Sequence, residues 1–217
     1  MNDMQRVIIA DDHPVVYKGL KEILQENFGP LMVDAAGTGR ELIEKVKKTD
    51  YDLVLLDISL PDANGLDVLR EMRRKRPRLP VLVISMYPEE MYAVRAIRTG
   101  AQGYLTKQSA SEELVLAVRK ILSGKRYVNP AFAVRMVVDF ESAAAKPAHE
   151  KLSNREFQVM RMFGSGKTMK DIAAELNLSI NSIRTYRVRI MEKIGVKGTE
   201  GLIHYALTHG LYEYKNG

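Results

Sequence analysis

The stretch Val7-Ile8-Ile9-Ala10-Asp11-Asp12-His13-Pro14 decides how the first part of this chain folds. Four consecutive apolar residues are typical of a short buried strand, and the acidic pair ends that strand. Pro14 favours a helix start, and apolar residues recur behind it at helical spacing. The stretch therefore predicts a strand that leads into a helix through a tight acidic loop.

The same pattern recurs four more times along the chain. Strands are predicted at 32–36, 53–56, 81–84 and 103–105, and the helices that follow them at 39–48, 66–75, 89–99 and 111–122. Five apolar strands separated by helices favour a parallel sheet with helices on both faces. In such sheets, ligands bind at the carboxyl ends of the strands.

Polar residues stand at those strand ends. They are Asp11 and Asp12 after the first strand, Asp57 after the third, Ser85 after the fourth, and Thr106-Lys107 after the fifth. An acidic loop residue alone is usually solvated or caps a helix, but suitable residues at successive strand ends argue against coincidence. Clustered carboxylates repel one another unless a hard cation neutralises them, which points to Mg²⁺. A carboxylate beside a metal and an ammonium group can attack a phosphoryl donor, and Asp57 on the central strand is the candidate nucleophile.

Composition excludes several other kinds of site. The chain has 217 residues and no Cys, so disulfides, thiolate metal sites and Cys nucleophiles are excluded. No two histidines have ligand spacing, so metal binding by His13 is not expected. Because neither a signal peptide nor a membrane span is recognisable, we expect a soluble cytoplasmic protein without membrane association.

Charge is distributed unevenly along the chain. Residues 1–125 carry 19 basic and 18 acidic residues, residues 126–150 carry 3 of each, and residues 151–217 carry 11 and 6. The last part therefore holds +5 of the formal net charge of +6. Such asymmetry is typical of a module that binds a polyanion, although a solvated basic surface would give the same count.

The basic part has the pattern of a small helical domain. Ser153 with Glu156, and Thr168 with Asp171, have the spacing of capping boxes that start two short helices. A third helix is predicted from Ser179 to near residue 195, and a fourth over 199–209. The third helix alternates basic with apolar residues, which is typical of a helix-turn-helix.

Two groups of motifs carry a family resemblance. Asp11-Asp12, Asp57-Ile58-Ser59-Leu60-Pro61 with Gly65-Leu66, and residues 100–107 resemble the receiver domain of two-component response regulators. The resemblance implies a flavodoxin-like (βα)5 domain over 1–125, in which a sensor histidine kinase phosphorylates Asp57.

The receiver resemblance also implies a role for each residue at the strand ends. Asp12, Asp57 and the Ser59 backbone carbonyl would bind Mg²⁺ directly, and Asp11 would act mainly through water. Lys107 would pair with the phosphoryl group, Ser85 would move inward to hydrogen-bond it, and Tyr104 would follow as a rotating aromatic.

Fragments of the last part resemble the LuxR-type domain, so the chain is similar to the NarL/FixJ family of transcription factors. The fragments are Leu152-Ser153-Asn154-Arg155-Glu156, residues 166–173 and residues 182–196. The resemblance implies that Arg184 and Thr185 face the major groove and that Lys170, Arg187 and Lys193 contact phosphates. Tyr186 stands where His is common, which leaves the base sequence open. The last helix is either a dimer contact or part of the domain core.

We therefore expect a transcription regulator switched by phosphorylation, with a receiver at 1–125 and an all-α helix-turn-helix domain at 151–217. Residues 126–150 are interpreted as a linker, with a helix at 131–141 and a flexible tether at 142–150. Expected partners are a histidine kinase, double-stranded DNA and a second copy of the chain, with RNA polymerase as a further candidate. The only expected catalysis is Mg²⁺-dependent phosphorylation and dephosphorylation of the receiver itself.

Two other classes of protein fit the sequence less well. A phosphohydrolase with an Asp nucleophile expects that residue after the first strand and has no use for the basic domain. A constitutive DNA-binding protein with a degenerate receiver is disfavoured by the complete acidic set. The kinase, the stimulus, the promoters and the direction of regulation stay open.

Overall fold

A computed structural model describes residues 5–109, 111–129, 133 and 147–212. The chain divides into two compact units, Met1–Ser142 and Ala143–Gly217, and each is described by itself. In the described part of the chain, no helix is long and apolar enough to cross a membrane.

The first unit is a five-stranded parallel sheet with an intervening helix after each strand. Its elements are β1 (Gln5–Ala10), α1 (Pro14–Phe28), β2 (Leu31–Ala36), α2 (Gly39–Lys48), β3 (Leu53–Leu56), α3 (Gly65–Lys75), β4 (Val81–Ser85), α4 (Glu89–Thr99), β5 (Gly103–Thr106) and α5 (Ser111–Leu122). The strand order is β2-β1-β3-β4-β5, and all neighbours are parallel. This is the flavodoxin-like order, and the predicted fold class is confirmed.

The central strands are buried along their whole length, because helices cover both faces of the sheet. All four residues of β3 and all five of β4 are buried, as their continuous apolar sequences predict. The ladder between β4 and β5 continues to the pair Ser85 and Thr106. These two polar residues therefore end the strands themselves instead of following them.

The first unit extends beyond the predicted boundary at residue 125. The Tyr127 side chain is buried within the core of this unit. Its backbone N–H donates to the Gln102 carbonyl at 2.8 Å, and its hydroxyl donates to Glu113 at 2.7 Å. A single aromatic residue has no periodicity, so the sequence pattern did not mark Tyr127 as part of the core.

The described residues of the second unit form four α-helices, and capping motifs predicted the first two of them. They are α6 (Asn154–Gly164), α7 (Met169–Glu175), α8 (Ile180–Ile194) and α9 (Gly198–Thr208). Both predicted capping boxes are present, at Ser153 with Glu156 and at Thr168 with Asp171. Gly195 ends α8 with a left-handed conformation, φ 76°, that glycine adopts without strain.

The last helix supplies core residues to this unit. Leu202 and Ala206 are fully buried. A Cβ on Gly164 would lie 2.7 Å from the Ala206 Cβ, so α6 and α9 pack closely because residue 164 is glycine. Leu207 is 49% exposed and Ile203 is half-buried, so both have apolar surface outside the core.

The predicted helix at 131–141 lies outside the described residues, apart from Ala133, and so does most of the predicted tether. Ala148–Lys151, at the end of the predicted tether, form a turn of 3₁₀ helix. This turn contacts α9, since the backbone N–H of His149 donates to the Tyr205 hydroxyl at 3.2 Å.

Candidate functional site

The acidic loops after β1 and β3 meet at the carboxyl edge of the sheet. These strands are neighbours, and the backbone N–H of Asp57 donates to the Ala10 carbonyl at 2.9 Å. The side chain of Asp57 is only 2% exposed. Asp11 is buried beside it, whereas Asp12 is exposed.

Lys107 connects these carboxylates to the end of β5. Its Nζ lies 2.8 Å from Asp57 Oδ2 and 2.6 Å from Asp11 Oδ2, and its side chain is 6% exposed. The Lys107 backbone N–H donates to the Ser85 carbonyl at 2.7 Å, which places the residue at the end of β4 as well. Lys107 thus brings together three of the four charged groups that the strand ends predicted, Asp11, Asp57 and itself.

Burial and charge act in opposite directions on this cluster. Burial raises the pKa of Asp57 above its usual value, and the Lys107 ammonium opposes that rise. Burial would lower the pKa of Lys107, but the charges of Asp57 and Asp11 outweigh it and raise that pKa. Lys107 therefore stays protonated and holds two carboxylates that would otherwise repel each other.

The cluster has the donor set of a hard-cation site. Carboxylate oxygens of Asp11, Asp12 and Asp57 and a ring nitrogen of His13 lie within 4.8 Å of one another. Oxygen ligands of this kind suit Mg²⁺, so the residues fit the ion that the resemblance implies. His13 was not expected in this group, and its Nδ1 lies 2.8 Å from Asp12 Oδ1. Its position directly after the acidic pair was the signal available in the sequence.

The loop after Asp57 is held in a tight conformation. A Cβ on Gly65 would lie 2.0 Å from the Asp57 carbonyl oxygen, so no larger residue fits there. Asn64 pairs with Ser59 in an isolated bridge, and its side chain caps α3 by accepting the Leu66 N–H at 3.0 Å. The Ser59 N–H donates to Asp57 Oδ1 at 3.2 Å. Sequence reasoning named Gly65 but missed Asn64, a fixed point of the same loop.

The two predicted switch residues meet at the backbone of Tyr87. Ser85 is buried, and its hydroxyl accepts the Tyr87 N–H at 3.3 Å. Tyr104 is buried too, and its hydroxyl donates to the Tyr87 carbonyl at 2.7 Å. One residue of the β4–α4 loop therefore links Ser85 to Tyr104, a link that the sequence pattern did not indicate.

A continuous exposed stripe runs along α8 in the second unit. Its members are Asn181, Arg184, Thr185, Val188, Arg189 and Glu192. Their spacing of three or four residues places them on one face of the helix. Arg184 and Thr185, the predicted base-reading residues, lie on this stripe, and Arg189 is an exposed cation that the prediction left out.

The three predicted phosphate contacts differ in their surroundings. Lys170, in α7, is exposed. Arg187 is half-buried, and its Nη1 donates to Thr199 Oγ1 at 2.8 Å. Lys193 differs most from the prediction, because its Nζ lies 2.6 Å from Oε2 of the buried Glu156. Its ammonium thus has a partner inside the unit instead of being held out towards a ligand.

Comparisons with known proteins agree with both units. Residues 7–119 match the family model of the response regulator receiver domain. Residues 150–206 match that of bacterial regulatory proteins of the luxR family. The chain is a LuxR-type response regulator.

Curated and solved members of the family align with nearly the whole chain. The response regulator UvrY of Escherichia coli K12 is 32% identical over 209 residues, 96% of either chain. RcsB from Salmonella enterica serovar Typhimurium, solved on promoter rprA with the phosphomimetic BeF3⁻, is 25% identical, with a TM-score of 0.61 over 94% of this chain and 99% of that one. A structure of two RcsB dimers on two parallel DNAs is 26% identical, with a TM-score of 0.57 over 95% of this chain and 99% of that one.

Both family matches stop short of features that the structure describes in this response regulator. The receiver match ends at residue 119, before the buried Tyr127. The luxR match ends at residue 206, before the exposed Leu207. The burial of Tyr127 and the exposure of Leu207 are thus known from the structure and not from the family matches.

Proposed function

We propose that this response regulator accepts a phosphoryl group at Asp57 from a sensor histidine kinase and thereby controls DNA binding and transcription. The observation that carries the proposal is the buried contact of Lys107 with Asp57 and Asp11 at the carboxyl edge of the sheet. The motifs alone place these residues near strand ends, whereas the structure gives them one shared site.

The proposed transfer uses Asp57 as the nucleophile. A carboxylate oxygen of Asp57 bonds to phosphorus while the P–N bond of the donor's phosphohistidine breaks, and the bond's electron pair leaves with the imidazole. Lys107 shifts from the carboxylate to an oxygen of the incoming group and stabilises its charge. Mg²⁺, when held by Asp12, Asp57 and the Ser59 carbonyl with Asp11 acting through water, supplies further neutralising charge.

Phosphorylation would then change the hydrogen bonds of the β4–α4 loop. The new oxygens are strong acceptors, so the Ser85 hydroxyl donates to one of them and gives up the Tyr87 N–H. Because Tyr104 is bonded to the carbonyl of the same Tyr87, a shift of this loop reaches Tyr104. We propose that the surface formed by β4, α4 and β5 carries this change out of the receiver.

DNA binding is proposed for the exposed stripe of α8. Arg184 and Thr185 would read base edges in the major groove, while Lys170 contacts phosphates. Arg187 donates one N–H to Thr199 and keeps others for a phosphate. Two copies on two half-sites would bind far better than one, because the second contact becomes intramolecular. We propose RNA polymerase as a candidate partner at the promoter. We propose the cytoplasm as the location of the protein.

The domain limits are likewise proposed. We place the end of the receiver after Asn129 because Tyr127 is part of its core, and the DNA-binding domain from residue 147 because the 3₁₀ turn contacts α9.

A phosphorylation assay tests the proposed acceptor. The full chain is incubated with Mg²⁺ and acetyl phosphate, and phosphoprotein is resolved on a phosphate-affinity gel. We expect one base-labile adduct that is lost in Asp57→Asn and retained in Asp50→Asn, a control in which an exposed Asp of this domain is changed. An adduct that persists in Asp57→Asn would overturn the assignment.

A further inference from the structure

We infer that Lys193 is a positioning residue, which fixes the recognition helix α8 to the start of α6 through Glu156. It would act on DNA recognition through the geometry of α8, and not as a phosphate contact. This inference rests on the proposed binding of DNA by α8.

The partner of Lys193 is itself rigidly held. Glu156 is the third residue of α6, and its side chain is 5% exposed. Its Oε2 accepts the Ser153 N–H at 2.7 Å and the Lys193 Nζ at 2.6 Å, while its own N–H donates to Ser153 Oγ at 3.3 Å. The capping box therefore fixes the carboxylate, and the carboxylate fixes Lys193.

Two adjacent residues of α6 contact the chain before the recognition helix and at the end of that helix. Arg155 Nη2 donates to the carbonyl of Leu176, in the turn before α8, at 3.1 Å. Glu156 contacts Lys193 in the last turn of α8. The last turn of α8 is thus held directly by Glu156, whereas Arg155 holds the turn that precedes the helix.

The distance along the helix makes this anchor important for base reading. Arg184 lies nine residues before Lys193. At a rise of 1.5 Å per residue, the two are about 13 Å apart along the axis. A tilt of about 10° at the anchored end would therefore move Arg184 by about 2 Å, enough to break a bidentate contact with a base.

The energetics explain why the ammonium stays on Glu156. Burial alone would raise the pKa of Glu156, but the hydrogen bonds from Lys193 and Ser153 hold that pKa below its usual range. A buried carboxylate that loses its charge partner is strongly destabilised. Lys193 is 39% exposed, so water would solvate its ammonium if the pair were broken, and the cost in free energy would be much smaller. The ion pair is therefore maintained mainly because the buried carboxylate of Glu156 requires a partner.

Salt dependence distinguishes a positioning role from a phosphate contact. Each phosphate contact contributes about one unit to the slope of log K against log salt concentration, while a residue that only orients the helix contributes none. Lys170 is the matched control, because it is exposed on the neighbouring helix α7 and is a proposed phosphate contact.

The experiment measures binding of the full chain by fluorescence anisotropy over a range of KCl concentrations. The probes are a duplex selected from a random library by the wild-type protein and a scrambled duplex of the same length. Lys193→Met is expected to weaken binding of the selected duplex about tenfold, as loss of one base contact would, with an unchanged salt slope. Binding of the scrambled duplex should barely change. Lys170→Met should weaken both and reduce the slope by about one.

Two further variants keep the test valid if Lys193→Met folds poorly. Lys193→Arg retains the pair and should retain affinity. Glu156→Gln keeps the Lys193 charge but removes its partner's charge, and it should lose specific binding as Lys193→Met does. The inference is overturned if Lys193→Met lowers the salt slope, if Glu156→Gln binds as wild type or tighter, or if neither variant changes the affinity for the selected duplex. Failure of the wild type to select any duplex would instead refute the proposed function.

Discussion

The proposed phosphoryl-acceptor site and the proposed recognition helix use charge in opposite ways. In the receiver, Lys107 is almost fully buried and lies within 3 Å of two carboxylates. On α8, Arg184 and Arg189 are exposed to solvent. In the first site the cation has carboxylate partners within the chain, whereas the cations of the second are available to a ligand.

Lys193 and Glu156 stand between these two cases. The pair lies beside the exposed stripe, yet one partner is buried like the groups of the receiver site. The basic residues of α8 therefore fall into two groups, one that holds the helix in place and one that is available to DNA. Substitutions that remove single charges test the contrast between buried and exposed cations.

The largest effect is expected for the buried cation of the receiver. Lys107→Met leaves Asp11 and Asp57 buried without their shared ammonium, which should cost about 3–5 kcal/mol of the free energy of unfolding in Mg²⁺-free buffer. Urea unfolding of the variant and the wild type measures this loss. A loss below that of Lys193→Met, whose side chain is 39% exposed, would contradict the contrast between the two sites.

The next effect concerns the loop that shapes the acceptor site. Gly65→Ala places a methyl group against the backbone of Asp57 and should destabilise the receiver by about 3 kcal/mol, at the upper end for overpacking. Gly19→Ala is the control, because nothing lies within 4 Å of its added Cβ in α1. It should stabilise by up to about 1 kcal/mol. Equal destabilisation of both variants by thermal unfolding would show that the tight loop is not the cause.

A smaller effect is expected on the exposed stripe. Arg184→Ala should weaken binding of the selected duplex by about 1–3 kcal/mol if the guanidinium reads a base, and should leave the stability of the domain unchanged. Anisotropy titrations on selected and scrambled duplexes measure the difference. An equal loss on both duplexes would make Arg184 a phosphate contact.

The smallest effect is a pH dependence of the second domain. Because the folded pKa of Glu156 is lowered, its contribution to stability is present above the unfolded value near 4.5 and is lost as the pH falls through the folded value. Urea unfolding between pH 5.5 and pH 3 should therefore show a smaller decline in Glu156→Gln than in the wild type. Identical declines in the free energy of unfolding would mean that the pair of Glu156 and Lys193 does not cause the pH dependence.

The sequence predicts the residues of the receiver site better than it predicts the roles of the cations on α8. Asp57, Asp11 and Lys107 were predictable because parallel strands bring their carboxyl ends to one edge whatever the details of packing. Lys193 could not be separated from Arg184 by sequence, since both are cations on one amphipathic helix and the partner of Lys193 lies 37 residues away. Tyr127 was missed because a lone aromatic after a helix gives no periodic signal. His13 joins the carboxylate cluster, and Tyr87 links Ser85 to Tyr104, because of the conformation of their loops. No spacing rule predicts such a conformation.

We propose above all that the phosphorylation state of Asp57 controls how tightly α8 binds DNA. The most direct measurement compares the affinity of the full chain for its selected duplex with and without acetyl phosphate and Mg²⁺, in the wild type and in Asp57→Asn. We expect a change in affinity in the wild type and none in Asp57→Asn. An unchanged affinity in the phosphorylated wild type, or an equal change in Asp57→Asn, would refute control of DNA binding by phosphorylation of Asp57.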